Sequence, residues 1–114
     1  MATLTAQDIN VIGKVDLVMT TLAAADDFTF NSIKNEWLLL ENTTASPVTV
    51  SMLGADSPAT VVCDGIGTVT VVAETVEVPA NANVMYKLNS IGTKLKGVTA
   101  LTGGVGVEAA LLSA

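Results

Sequence analysis

A chain of 114 residues with 50% hydrophobic content is the size of one domain, and it can bury about 65% of its unfolded surface without disulfides or metals. It carries eleven acidic residues and five lysines, with no arginine and no histidine, for a net charge of −6. That balance argues against unaided binding to nucleic acid or to an anionic membrane, whose phosphates must be met by Lys and Arg. Without imidazole, no Ser-His-Asp triad or Cys-His pair forms within one subunit, and no Cys₄ or Cys₂His₂ zinc site exists. Cys63 is the single cysteine, so no intrachain disulfide is available. It sits in the apolar run Thr60–Cys63 and reads as a small buried hydrophobe, with only lysine present to activate it.

In chain order, residues 3–12 (TLTAQDINVI) and 15–21 (VDLVMTT) are strand candidates separated by Gly13-Lys14. The chain reads as one domain spanning 1–114, with residues 1–12 as an N-terminal arm or edge strand. No basic region precedes an apolar stretch, and no apolar run reaches the about 18 residues of a bilayer span. The expectation is a soluble protein that folds in the cytoplasm where it is made. Ala23 to Asp27 reads as loop, and its adjacent acids Asp26 and Asp27 as a solvated pair rather than a cation site. Phe28-Thr29-Phe30 alternates as a short strand, and Asn31 to Asn35 is turn-like.

EWLLLENTTASPVTVSM, residues 36–52, predicts a hairpin. Trp37 to Leu40 form an apolar run, Asn42 to Pro47 a polar turn, and Val48, Val50 and Met52 alternate with Thr49 and Ser51. Asn42-Thr43-Thr44 matches the glycosylation sequon but has no secretion signal behind it. After the loop Gly54 to Pro58 comes a strand, Ala59 to Cys63, and then Asp64-Gly65. An Asp-Gly pair between apolar runs is a hairpin signal, because both residues tolerate positive φ. Thr68 to Val71 and Thr75 to Val78 alternate with period two, with a bend at Ala73-Glu74 and a turn at Pro79 to Ala82. Val84, Tyr86 and Leu88 share one strand face, Met85 and Lys87 the other. Asn89 to Thr93 reads as loop and Lys96 to Leu101 as a weaker strand. Val105, Val107, Ala109 and Leu111 close the chain as an alternating strand.

Nine or ten short strands, with turn signals about every 8–12 residues, predict an all-β protein: a single β-sandwich or barrel. Periodicity fixes which face each residue takes but not connectivity, so jelly-roll and immunoglobulin-like orders both stand. Chemistry is thin. Asp64-Gly65-Ile66-Gly67 lacks the third glycine and following helix of a dinucleotide loop, and Gly103-Gly104-Val105-Gly106 lacks the Lys-Ser/Thr of a P-loop. A paired-carboxylate hydrolase would need a cleft and aromatic platforms, and the chain has only Phe28, Phe30, Trp37 and Tyr86. The expectation is no enzyme, no metal and no cofactor. The product of this sequence is a surface.

Leu4-Thr5-Ala6-Gln7-Asp8-Ile9, then Asp27-Phe28-Thr29-Phe30, then WLLLENTTASPVTV (Trp37 to Val50), then Val76-Glu77-Val78-Pro79-Ala80 and a Val/Ala-rich closing strand together resemble the small structural proteins in virions of tailed bacteriophages. The resemblance covers most of the chain in order and spacing, while Lys87 to Gly97 has no counterpart in it. It implies a small β-sandwich of jelly-roll type that binds the outer face of a capsid as a decoration or cement protein. The implied partners are the major capsid protein and further copies of the chain, as dimer or trimer, with no nucleic acid, membrane or small-molecule substrate. The implied location is the capsid exterior of the virion, after assembly in the host cytoplasm. Alternatives are a head-to-tail connector, tail or fibre-base protein, or a carbohydrate-binding or adhesin-like sandwich. For the interface, Phe28 and Phe30 form a loop-flanked aromatic pair that suits either an anchor or core packing. Lys94 and Lys96 suit either an acidic capsid patch or a solvated face.

Overall fold

The computed structural model describes residues 3–9, 13–14, 16–31 and 33–113, without the side chains of Cys63 and Thr93. The expectation for the Cys63 thiol therefore lies outside the described residues, as does the strand expectation for residues 10–12 and 15.

The strands are β1 (Thr3–Leu4), β2 (Gln7–Asp8), β3 (Thr20–Thr21), β4 (Ala25–Thr29), β5 (Glu36–Asn42) and β6 (Val48–Gly54). They continue as β7 (Thr60–Cys63), β8 (Gly67–Thr70), β9 (Glu74–Val78), β10 (Asn83–Lys87), β11 (Val98–Thr102) and β12 (Val107–Ser113). One sheet runs β1-β4-β11-β6-β9; the other runs β10-β5-β12-β2, with β3 also on β12. The protein is an all-β sandwich.

Connectivity decides between the two orders left open by sequence. Taking β3, β4, β5, β6, β9, β10, β11 and β12 in turn, every connection crosses from one sheet to the other except β6 to β9. That is the jelly-roll pattern of two interleaved Greek keys, and an immunoglobulin-like order would keep more successive strands within one sheet. The N-terminal strands add to both sheets, β1 parallel to β4 and β2 parallel to β12.

The expected hairpin over 36–52 is the main correction. β5 and β6 lie in opposite sheets, so residues 42–48 form an arch over the edge of the sandwich. Both strands turn alternate residues inward: Leu38 and Leu40 from β5 meet Val50 and Met52 from β6 in the core. Asn42 sets the arch. Its Oδ1 accepts from the Thr44 N–H at 2.9 Å and the Thr44 hydroxyl at 2.7 Å. Its Nδ2 donates to the carbonyls of Ser46 at 2.8 Å and Val78 at 3.0 Å. A two-residue turn matches the twist of a strand pair; a five-residue linker closed around a buried amide does not. With Asn42 only 1% exposed and its amide committed, the sequon is structural.

The Pro79–Ala82 turn is a second arch, between β9 and β10 in opposite sheets. Asn81 takes a φ of 56° there, and the two arches are stitched by Asn42 N–H to Ala82 O at 2.9 Å and Asn81 N–H to Thr44 O at 3.1 Å.

Four further expectations change. Ala25 to Asp27 belong to β4 rather than a loop, because Asp26 is buried and accepts from the Ala23 N–H at 2.8 Å. Of 15–21, only Thr20–Thr21 is strand within the described residues. Gln7 supplies the contacts a neighbouring strand would, donating to Val18 O and accepting from Val18 N–H, both at 2.8 Å. Asn89 to Thr93 lies in a 3-10 segment, Leu88–Leu95, interrupted at Ile91; its end residues Leu88 and Leu95 are core residues that pin it inward. β12 does not alternate. Ala109 and Leu111 face the core, and Ala110 and Leu112 on the opposite face are also buried; Val105, expected in the same strand, precedes it and is exposed.

Candidate interaction surface

Between β6 and β9 the chain leaves the sandwich. β7 and β8 pair with each other, Thr60↔Thr70 through Cys63↔Gly67, and with no strand of either main sheet. The Asp64-Gly65 hairpin read from sequence is found here, with Gly65 at φ 80° and Gly67 at φ 99°. Val62 (80% exposed) and Val69 (38%) lie on opposite faces of this ribbon, and Ile66 at the turn is 78% exposed. The Val62 face is open, the face of Val61, Val69 and Val71 is half-buried, and neither strand joins a main sheet, so the ribbon is an arm. The dimensions agree: the radius of gyration is 14.7 Å, against about 13 Å for a compact chain of this length.

The arm carries little charge. From Ala59 to Val72 the only charged residue is Asp64, while Thr and Val alternate. Edge strands are normally protected by Lys, Glu, Pro or bulges. Two outer strands of the main sheets follow that rule, with Glu74 and Glu77 on β9 and Lys87 on β10. β7 and β8 carry no such guard. An isolated two-stranded ribbon is at best marginally stable in water, so covering this one stabilises it.

Its roots are held. On the outgoing side, Ala55 N–H donates to Val98 O and Asp56 N–H to Lys96 O, both at 2.9 Å. At the base, Val71 N–H donates to Ala59 O at 2.8 Å. On the return side, Glu74 takes hydrogen bonds from the Tyr86 hydroxyl and from Lys94 Nζ, the latter at 2.9 Å. Those bonds hold the Glu74 carboxylate below its usual range, the tyrosine contributing most and Lys94 next. The same bond to Glu74, followed by partial burial, pushes the Tyr86 phenol up to about 12.

The four residues expected at an interface are divided by the structure. Phe28 is 0% exposed, a core residue with no surface to offer as an anchor. It faces inward because β4 buries Asp26 and Phe28 alternately. Phe30 is partly buried and packs on that core. Lys94 and Lys96 both lie at the base of the arm, Lys94 paired with Glu74 and Lys96 exposed. Asp26 and Asp27 point to opposite faces of β4 and do not converge. Among the described residues no three Cys, Asp or Glu side chains gather as for a metal. An open groove of about 240 Å³ lined by Thr3, Thr5, Gln7, Val18 and Thr20 holds no charge.

What sequence reading missed is the arm's independence. Its signal is the stretch of alternating Thr and Val with a single charge, flanked by two segments that reach the core. Comparison with known protein families, curated proteins and solved structures gives no match for this chain.

Proposed function

We propose that this chain is a non-enzymatic structural protein of a tailed-phage virion that binds the outer surface of the capsid and stabilises it. The observation that carries the reading is the unguarded, nearly uncharged β7–β8 arm on a jelly-roll body. Rigid body and exposed strand edges suit a tile: backbone donors and acceptors on a free edge add strands to a neighbour's sheet. Each contact is modest, and many copies on one particle convert modest contacts into firm attachment. The composition, with no histidine and one cysteine, fits selection on shape rather than turnover.

The test is stoichiometric. Purified particles are expected to contain the protein in copy numbers matching icosahedral positions, and stripping it should lower the capsid melting temperature. A variant in which Thr60 to Thr70 is replaced by Asn-Gly, closing Ala59 against Val71 with a two-residue turn, should fold but fail to rebind stripped particles. Copies in single figures per particle, or full rebinding by the armless variant, would overturn the reading.

A further inference from the structure

We infer that two copies of this chain associate through their arms, β8 pairing antiparallel with β8 of the second copy about a twofold axis at Val69. The inference concerns free solution and does not depend on a capsid.

The ladder decides which edge groups are available. In an antiparallel pair, bonded and non-bonded residue pairs alternate. Val71 N–H bonds inward to Ala59 O, and the register pairs Thr70 with Thr60, Val69 with Val61 and Thr68 with Val62. The backbone groups of Thr68 and Thr70 therefore point outward from the free edge of β8. A twofold axis at Val69 sets Thr68 of each copy opposite Thr70 of the other. Both members of each pair are outward-facing, so each exchanges N–H and C=O in full. An axis at Thr68 or Thr70 would also be bonded, but only the Val69 axis brings Ile66 of one copy, just before β8, level with Val72 of the other, just after it. Both are exposed, at 78% and 60%. On the face of Thr68 and Thr70, Val62 is 80% exposed and neighbours Thr68.

The arm has almost no charge with which to attract an acidic or basic partner, or to repel a second arm. Five of the six net negative charges lie outside Ala59 to Val72, so two bodies repel while their arms do not. Projection lets the uncharged parts meet first. A four-residue strand pair covers less than the about 800 Å² per partner of a stable contact. The dimer is therefore concentration-dependent, and added salt strengthens it by screening the bodies.

Sedimentation velocity on the full chain, from micromolar to millimolar concentration, is expected to show reversible monomer–dimer exchange that shifts toward dimer with salt. Val69→Lys and Val69→Glu each set like charges face to face across the axis, about 5 Å apart at Cβ, and should weaken association about tenfold or more. Mixing the two variants should restore a heterodimer, which also shows that each variant's arm is folded. Val61→Lys, on the far strand, should leave the dimer in place. A wild-type chain that stays monomeric throughout, a Val69→Lys chain that dimerises as wild type, a mixture that does not rescue, or loss of dimer with Val61→Lys would each overturn the pairing. The capsid reading is judged separately, by copy number on particles.

Discussion

Tyr86 donates its hydroxyl proton to Glu74 Oε2, and that bond ties the edge strand of one sheet, β9, to the edge strand of the other, β10. Lys94 Nζ holds the second carboxylate oxygen at 2.9 Å. Body and arm thus share one polar clasp, located where the chain re-enters the sandwich.

The clasp gives stability a dependence on pH at both ends. In the unfolded chain Tyr86 loses its proton near 10.0, and in the folded chain at about 12. Its contribution is whole below pH 10 and is lost as pH rises toward 12. Glu74 is shifted the other way, below 4.5. Its contribution is whole above that value and lost as acid protonates the folded carboxylate. Chemical denaturation across pH should show both limbs. Tyr86→Phe should remove the alkaline one and cost about 1 kcal/mol near neutrality, a fall of about 4 °C in Tm. An unchanged alkaline limb in that variant would contradict the assignment.

The arch at Asn42 predicts a larger effect. Asn42→Ala strands the Val78 carbonyl, buried beside it, and frees the Thr44 N–H and hydroxyl. Each unsatisfied buried group costs about 1–3 kcal/mol, so a loss of about 3 kcal/mol is expected in urea unfolding. Asn42→Asp should be worse than Ala at neutral pH, since a carboxylate would face the Ser46 and Val78 carbonyls. Acidification should narrow the gap between the two variants. A loss under about 1 kcal/mol for Asn42→Ala would mean the arch closes without its side chain.

How much of this was legible follows from how local each signal is. Asp64-Gly65 specifies its hairpin within five residues, and the faces of Val84, Tyr86 and Met85 follow from strand period alone. The 36–52 segment has the same local grammar as a hairpin, yet its partner choice is tertiary. Asn42 bonds to Val78, 36 residues away, and nothing near it in sequence says so. The aromatic pair at 28 and 30 looks the same as an anchor or as core, and only the sheet pairing of β4 with β11 sends Phe28 inward. The arm was half visible: its turn and its strands were readable, its separation from both sheets was not.

Gly54 reports on the other root of the arm. A Cβ there would collide with the Lys96 carbonyl oxygen and lie 2.8 Å from the Leu95 carbonyl carbon. Both are backbone atoms, with no flexible side chain to yield. Gly54→Ala should therefore push the Leu95–Lys96 segment away from β6 and cost about 2–3 kcal/mol, as overpacking in a well-filled site does. Gly92→Ala is the control, since its Cβ would meet only the Phe30 ring at 3.7 Å. Melting curves for the two variants that coincide would rule out the close approach.

Core and arm should answer oppositely to the same kind of change. Phe28 is sealed among core residues, and truncating a buried phenylalanine to alanine costs about 3–5 kcal/mol in transfer and cavity terms. Ile66 is exposed, and surface substitutions of that kind stay within about 0.5 kcal/mol. Phe28→Ala is therefore expected to unfold much of the population near room temperature or to lower Tm steeply. Ile66→Ser should melt within about 2–3 °C of wild type at concentrations where the chain is monomeric. The measurement that matters is the pair, taken by calorimetry and by sedimentation. Ile66→Ser should weaken self-association while leaving the monomer's melting intact, whereas any association defect in Phe28→Ala should scale with its loss of folded protein. A hydrophobic residue that can be removed without harm to the fold is retained for something outside it, and a stable Ile66→Ser chain that associates as wild type would leave that residue with no such role.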